Sequence, residues 1–115
     1  MTQEDKELLL KDICARLPYN AKVEITNPST GTKIRKLDAI ALGVVKGFAN
    51  GYITDTVIKP YLFPLSSMTE KQKIELTCII DSDYAQIDWY NKNHFDYRGL
   101  IPKGLALDAT DLNIY

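Results

Sequence analysis

The chain has 115 residues, 45% of them apolar and 25% charged, with a formal net charge of −1 and a pI near 5.8. That length suits a single domain, 1–115, with a core of its own, and the near-neutral balance leaves no general basic excess for phosphate backbones, so nucleic-acid recognition would need a local patch. The polar, acidic start MTQEDKE cannot serve as a secretory leader, and no apolar run reaches the roughly 20 residues of a membrane span, so a cytoplasmic protein is expected.

The first predicted element is a helix capped by Thr2, with Asp5 completing a box-like pair. Leu10, Ile13, Cys14 and Leu17 follow the spacing i, i+3, i+4, i+7 and form its apolar stripe, widened by Leu9. Glu7–Lys11 and Asp12–Arg16 make i,i+4 ion pairs on the opposite, solvated side, and Pro18 ends the helix. Cys14 and Cys78 both fall in apolar helical patterns and are read as reduced core residues.

The period then changes to two. Ala21, Val23 and Ile25 alternate with Lys22, Glu24 and Thr26 as a half-buried strand, and NPSTGT (27–32) forms a turn. The apolar segment from Ile34 to Phe48 reads as a buried strand or a bent pair of short ones, with Gly43 and Gly47 marking a bulge or close approach. Asn50-Gly51 predicts a type I′ hairpin loop, setting Phe48 opposite Ile53, Lys46 opposite Asp55 and Val44 opposite Val57.

KPYLFP (59–64) is expected to leave the sheet, stiffened by two prolines. A helix then opens on Ser67 with Glu70 or Thr69 with Gln72, and its end, through Cys78, Ile79 and Ile80, is apolar enough to be deeply buried. A further helix runs from the break at Asp81-Ser-Asp to about Asn93, with Tyr84, Ile87 and Tyr90 at helical spacing and Trp89 to one side. Asp96 caps a one-turn helix at YRGLI, Leu105 and Leu107 form a short edge strand or a strap on the core, and ATDLNIY frays. Strands grouped between helices predict an α+β fold: an N-terminal helix, a small curled antiparallel sheet of three to five strands with SH3-like curvature as the preferred form, then two helices and a tail.

Little of this pattern speaks of catalysis. His94 is the only imidazole, and no nucleophile, base and orienting group stand beside it, so an enzyme built on His94 is the weakest of three readings. Two cysteines and one histidine offer no metal-ligand spacing, and the glycines form no phosphate loop, so no cofactor or metal is expected. Lys33, Arg35 and Lys36 form the one compact basic cluster and are the candidate nucleic-acid contacts, with Lys22 or Lys59 adding charge if the sheet brings them near. The aromatic-rich stretch supplies the leading reading, a non-enzymatic protein-binding module docking through its sheet edge or through Trp89, Tyr90, Tyr97 and Arg98. Tyr97-Arg98-Gly99 stands out there, because a mere connection requires neither the arginine nor the glycine.

Three stretches, MTQEDKELLLKDICARLPY, IKPYLFPLSSMTEKQK and DWYNKNHFDYRGLIPKGLALDA, together resemble a group of small uncharacterised proteins encoded on prophages and other mobile elements of anaerobic gut bacteria. The resemblance brings no activity, cofactor or site residue with it. It implies a cytoplasmic accessory protein acting on a component of the host or of the element.

Overall fold

The structure, a computed structural model, describes residues 2–29, 31–37, 43, 47, 56–79 and 83–115. It is α+β, with a helix, a small mixed sheet and then two helices. Helix α1 (Gln3–Arg16) opens on the predicted capping box: Thr2 Oγ1 accepts from Asp5 N at 3.1 Å, and Asp5 accepts in return from Thr2 N at 3.1 Å. Pro18 converts its end to a single 3₁₀ turn, Leu17–Tyr19, and Asn20 leaves in the left-handed conformation at φ 57°.

The buried stripe of α1 is rotated from the one expected. Leu9, Asp12, Ile13 and Arg16 face inward, whereas Cys14 is exposed and Leu10 and Leu17 are only half-buried. Both series obey i, i+3, i+4, i+7, and they differ by one residue, or about 100° around the helix. Cys78 is exposed too, so neither cysteine belongs to the core.

Strands β1 (Lys22–Asn27) and β2 (Gly31–Lys36) form an antiparallel hairpin, with Val23 opposite Arg35 and Ile25 opposite Lys33. Asn27 Oδ1 accepts from Ser29 N at 2.8 Å, and Gly31 takes the turn at φ +77°. KPYLFP does not leave the sheet. It belongs to β3 (Val57–Pro64), the strand that pairs with β1 and with both later strands.

Pro60 is tolerated there for a geometric reason. Ala21 O accepts from Leu37 N on the β2 side, while Lys22 N points to the β3 side. Along β1, residues therefore alternate between the two neighbours, and Val23, opposite Pro60, directs its backbone groups toward β2. The β1–β3 ladder asks Pro60 for no hydrogen bond.

Two short strands, β4 (Phe95–Asp96) and β5 (Leu107–Asp108), pair parallel to β3, so the sheet is mixed rather than antiparallel. Gly43 and Gly47, four residues apart, both have helical backbone, which overturns the strand reading at those positions. An apolar run does not by itself separate a strand from a buried helix. The Asn50-Gly51 hairpin lies outside the described residues, as does the break at Asp81-Ser82.

Helix α2 (Glu70–Thr77) uses the Thr69–Gln72 box, with Thr69 Oγ1 accepting from Gln72 N at 3.2 Å. Contrary to expectation it buries none of its residues, and Ile74 is 63% exposed. It ends at Thr77, before the apolar residues that made its end look buried. Helix α3 (Asp83–Lys92) turns Trp89 and Asn91 inward, while Tyr84 at 86% and Ile87 at 40% face out. One cluster, including Leu9, Ile13, Val23, Ile58, Leu62, Leu100 and Leu105, forms the aliphatic core between α1, the sheet and the C-terminal segment. Among the described residues no helix is long and apolar enough to cross a membrane.

Candidate functional site

The most elaborate chemistry lies where α1 meets the segment from Asn91 to Ile101. Asp12 and Arg16 are one helical turn apart, and both side chains are fully buried. Arg16 Nε donates to Asp12 Oδ2 at 2.8 Å and Nη2 to Oδ1 at 3.1 Å, a bidentate pair, while Nη2 also donates to the Phe95 carbonyl at 2.6 Å. Arg98 Nε reaches the same Asp12 Oδ1 at 3.1 Å, and its Nη2 donates to the Tyr97 hydroxyl at 2.9 Å. Two guanidiniums thus share one carboxylate. Both also lie over the Tyr97 ring, at 5.4 Å for Arg16 and 4.9 Å for Arg98, which spreads the surplus positive charge onto its π face.

This knot explains Tyr97-Arg98-Gly99. Arg98 is the second partner of Asp12, Tyr97 is stacked on Tyr90 at 5.6 Å, and Gly99 adopts φ +73°, which L side chains rarely take. The one-turn helix expected at YRGLI is absent, Arg98 being a bend and a turn starting at Leu100, but the buried Asp96 carboxylate does hold that turn, accepting from Leu100 N at 2.8 Å and Ile101 N at 2.9 Å. The signal for the knot was present in the sequence as Leu9-x-x-Asp12-Ile13-x-x-Arg16, an inward stripe that carries charge.

Beside the knot lies an aromatic cluster. Trp89 is only 8% exposed and stacks on Phe95, with centroids 5.5 Å apart and planes within 9°. Trp89 therefore sits in the interior, and of the candidate docking residues only Tyr90, Tyr97 and Arg98 retain some surface. Phe95 meets Phe63, and Phe63 meets Tyr115. His94 ends α3 in the left-handed conformation at φ 63° and stacks flat on Tyr115, with centroids 3.7 Å apart. It is not a cation, although a helix C-terminus favours one. Burial, aided by the nearby Arg16 charge, lowers its pKa to about 4, and its Nδ1 is buried without a hydrogen-bond partner. Arg16 Nη1 and Asn91 Oδ1 are likewise buried and unpartnered.

The tail is docked rather than frayed. The Tyr115 hydroxyl accepts from Lys22 N at 2.8 Å and donates to Tyr61 O at 2.9 Å, filling the rung that would follow Val23–Pro60 in the β1–β3 ladder. The basic residues fare differently. Lys33 and Arg35 lie opposite Ile25 and Val23 on the face that carries the core, whereas Lys36 lies opposite Lys22 on the other face with Glu24 and Lys59. They do not form one patch. Tyr61 also lies on that second face and donates to Glu24 at 2.9 Å, and its pKa is pushed up to about 12 by burial and by this carboxylate.

A cleft of about 350 Å³ opens next to the knot, lined by Pro64, Leu65, Asp96, Tyr97, Gly99, Ile101 and Pro102. Its walls are mostly apolar side chains fixed by the Asp96 caps and by the end of β3. Compared with known proteins, the chain matches no family model, no curated protein and no solved structure.

Proposed function

We propose that this chain is a non-enzymatic, cytoplasmic protein-binding module, an accessory factor of a phage or mobile element, that seats an apolar side chain of its partner in the cleft beside Tyr97. The observation that carries the reading is the cleft itself. It is concave, it sits at the low end of the size range for binding pockets, and its polar groups are already satisfied internally. Tyr97 forms one wall and is held from behind by Tyr90, Arg16 and Arg98, so little ordering remains to be done on binding. Trp89 acts beneath this surface as a support rather than as a contact.

Selection of peptides from a random display library, followed by NMR mapping on the full chain, tests this. The expected binders carry an aliphatic or aromatic anchor, shift Leu65, Tyr97 and Ile101, and lose affinity with Leu65→Glu. Selected peptides that map instead to Ile74, Tyr84 and Ile87 would move the docking surface to the two helices and end the cleft reading. The nucleic-acid alternative is checked in the same series by a mobility shift at about 50 mM salt, where phosphate contacts are strong.

A further inference from the structure

Residues Thr110 to Asn113 are all exposed, yet the tail that follows them is pinned at a single corner. Asp111 and Asn113 turn it with left-handed backbone, at φ 66° and 53°. Lys22 Nζ then holds the Ile114 carbonyl at 2.7 Å, and Tyr115 enters the sheet with its hydroxyl between Lys22 N and Tyr61 O. The Tyr115 ring covers Phe63 and lies flat on His94. An exposed span held by few contacts has the low local stability of a segment that opens as a unit.

The anchor stands on an imidazole that has no place for a proton. Whichever nitrogen carries the hydrogen in the neutral ring, the imidazolium must carry one on Nδ1. That atom is enclosed and has no acceptor. The charged group that faces it from α1 is the Arg16 guanidinium, the tail presents the Tyr115 phenol, and its own helix end contributes the neutral Asn91. The Lys22 ammonium group occupies the same corner through Ile114. Asp12, the carboxylate of the knot, is already engaged by two arginines. Of the tail's acids, Asp108 caps Thr110 N, and Asp111 lines the small cavity over Phe63 and Phe95.

We propose that Thr110–Tyr115 is a strap latched by the neutral His94 ring, and that a proton on His94 releases it. The imidazolium, repelled by Arg16 and without an acceptor, swings toward water and breaks the stack on Tyr115. Release uncovers Phe63 and leaves Lys22 N–H and Tyr61 C=O without the Tyr115 hydroxyl that bridges them. The strap is thus a proton-operated cover over Phe63 and the end of the β1–β3 ladder, separate from the cleft beside Tyr97.

Backbone amide exchange on the full chain, followed by NMR between pH 7.5 and 4.5 and corrected for intrinsic rates, reads this directly. The Lys22 amide reports the latch, and the Glu24 amide, in the same strand, reports β1 itself. If His94 regains its ordinary pKa of 6.5 in the open state, Lys22 protection falls on the order of 50-fold more than Glu24 protection by pH 4.5, as linkage requires. His94→Phe keeps an aromatic ring under Tyr115 and abolishes the extra loss. Equal losses at Lys22 and Glu24, or an undiminished loss in His94→Phe, overturn the proposal. Should that variant not fold, the wild-type ring signals decide. Tyr115 and His94 must titrate along one curve, and a Tyr115 ring that stays in place while His94 protonates ends the idea.

Discussion

The two ends of α3 face opposite problems. At its C-terminal end the fold encloses two arginines, one aspartate and a neutral histidine among aromatic rings. At its N-terminal end, and along α2, it leaves Ile74, Tyr84 and Ile87 in water. Charge is inside where apolar residues were expected, and apolar surface is outside where a core was expected. The difference shows what decides burial here. Each charged group of the knot finds a geometric partner, two of them bidentate across one helical turn, so removal from water is compensated. No such partner layer covers the exposed α2 and α3 residues among those described.

The sharpest way to break this contrast is at Asp12. Asp12→Ala removes the one carboxylate that both arginines share and leaves the Arg16 guanidinium buried without a counter-charge. A loss of about 3–5 kcal/mol is expected in denaturant unfolding, the usual cost of breaking a buried pair from one side. Arg98→Met should cost less, about 1–2 kcal/mol, because it removes one charged hydrogen bond and leaves Asp12 with Arg16. If the two variants are equally mild, the knot is not the anchor of the C-terminal segment.

Much of this architecture was legible beforehand, and the failures have physical causes. Both helix-capping boxes, the hairpin turn at Asn27–Gly31 and the role of Asp96 as an acceptor for the following backbone were readable because they are local: a side chain bonds a backbone group two to five residues away. The Arg98 arm of the knot was not readable because Asp12 and Arg98 are 86 residues apart, and the Asp12–Arg16 signal was misread because an i,i+4 ion pair is ordinarily a solvated one. Pro60 misled for a related reason. Whether a proline fits a strand depends on which rung of the ladder it meets, and that is set by the partner strand. Trp89 and Tyr90 are adjacent in a helix, and only the packing of Phe95 decides which of them turns inward. The cleft beside Tyr97 joins the end of β3 to the segment after β4, so no local spacing announces it.

Two intermediate effects sharpen the picture of the C-terminal segment. Asp96→Ala leaves the Leu100 and Ile101 amides without their acceptor and should cost about 1–3 kcal/mol, the range for a buried donor left unsatisfied. The pH dependence has a fixed sign. His94 binds its proton less readily in the folded chain than in the unfolded one, so folded-state stability is full above about pH 6.5 and declines as the pH falls toward 4. Thermal melts of wild type and His94→Phe across that window should diverge on the acid side and run parallel above pH 7. A wild type that melts with the same acid slope as the variant would show that His94 is not held neutral by the fold.

The smallest effect is expected on the opposite side of the contrast, and it is informative because it is small. Ile74→Ser and Tyr84→Ser replace apolar side chains that are 63% and 86% exposed, so folding loses almost no burial at either position. Each should stay within about 0.5 kcal/mol of wild type in denaturant unfolding, as surface substitutions away from special features do. Tyr84 carries the stronger test, since its ring stands nearly free and lies outside the core cluster of the described residues. If Tyr84→Ser instead destabilises by more than about 1 kcal/mol, a buried-scale effect, then something covers that ring in solution and α3 is apolar-in at both ends. The contrast between a buried, paired charge cluster and an uncovered apolar surface then disappears.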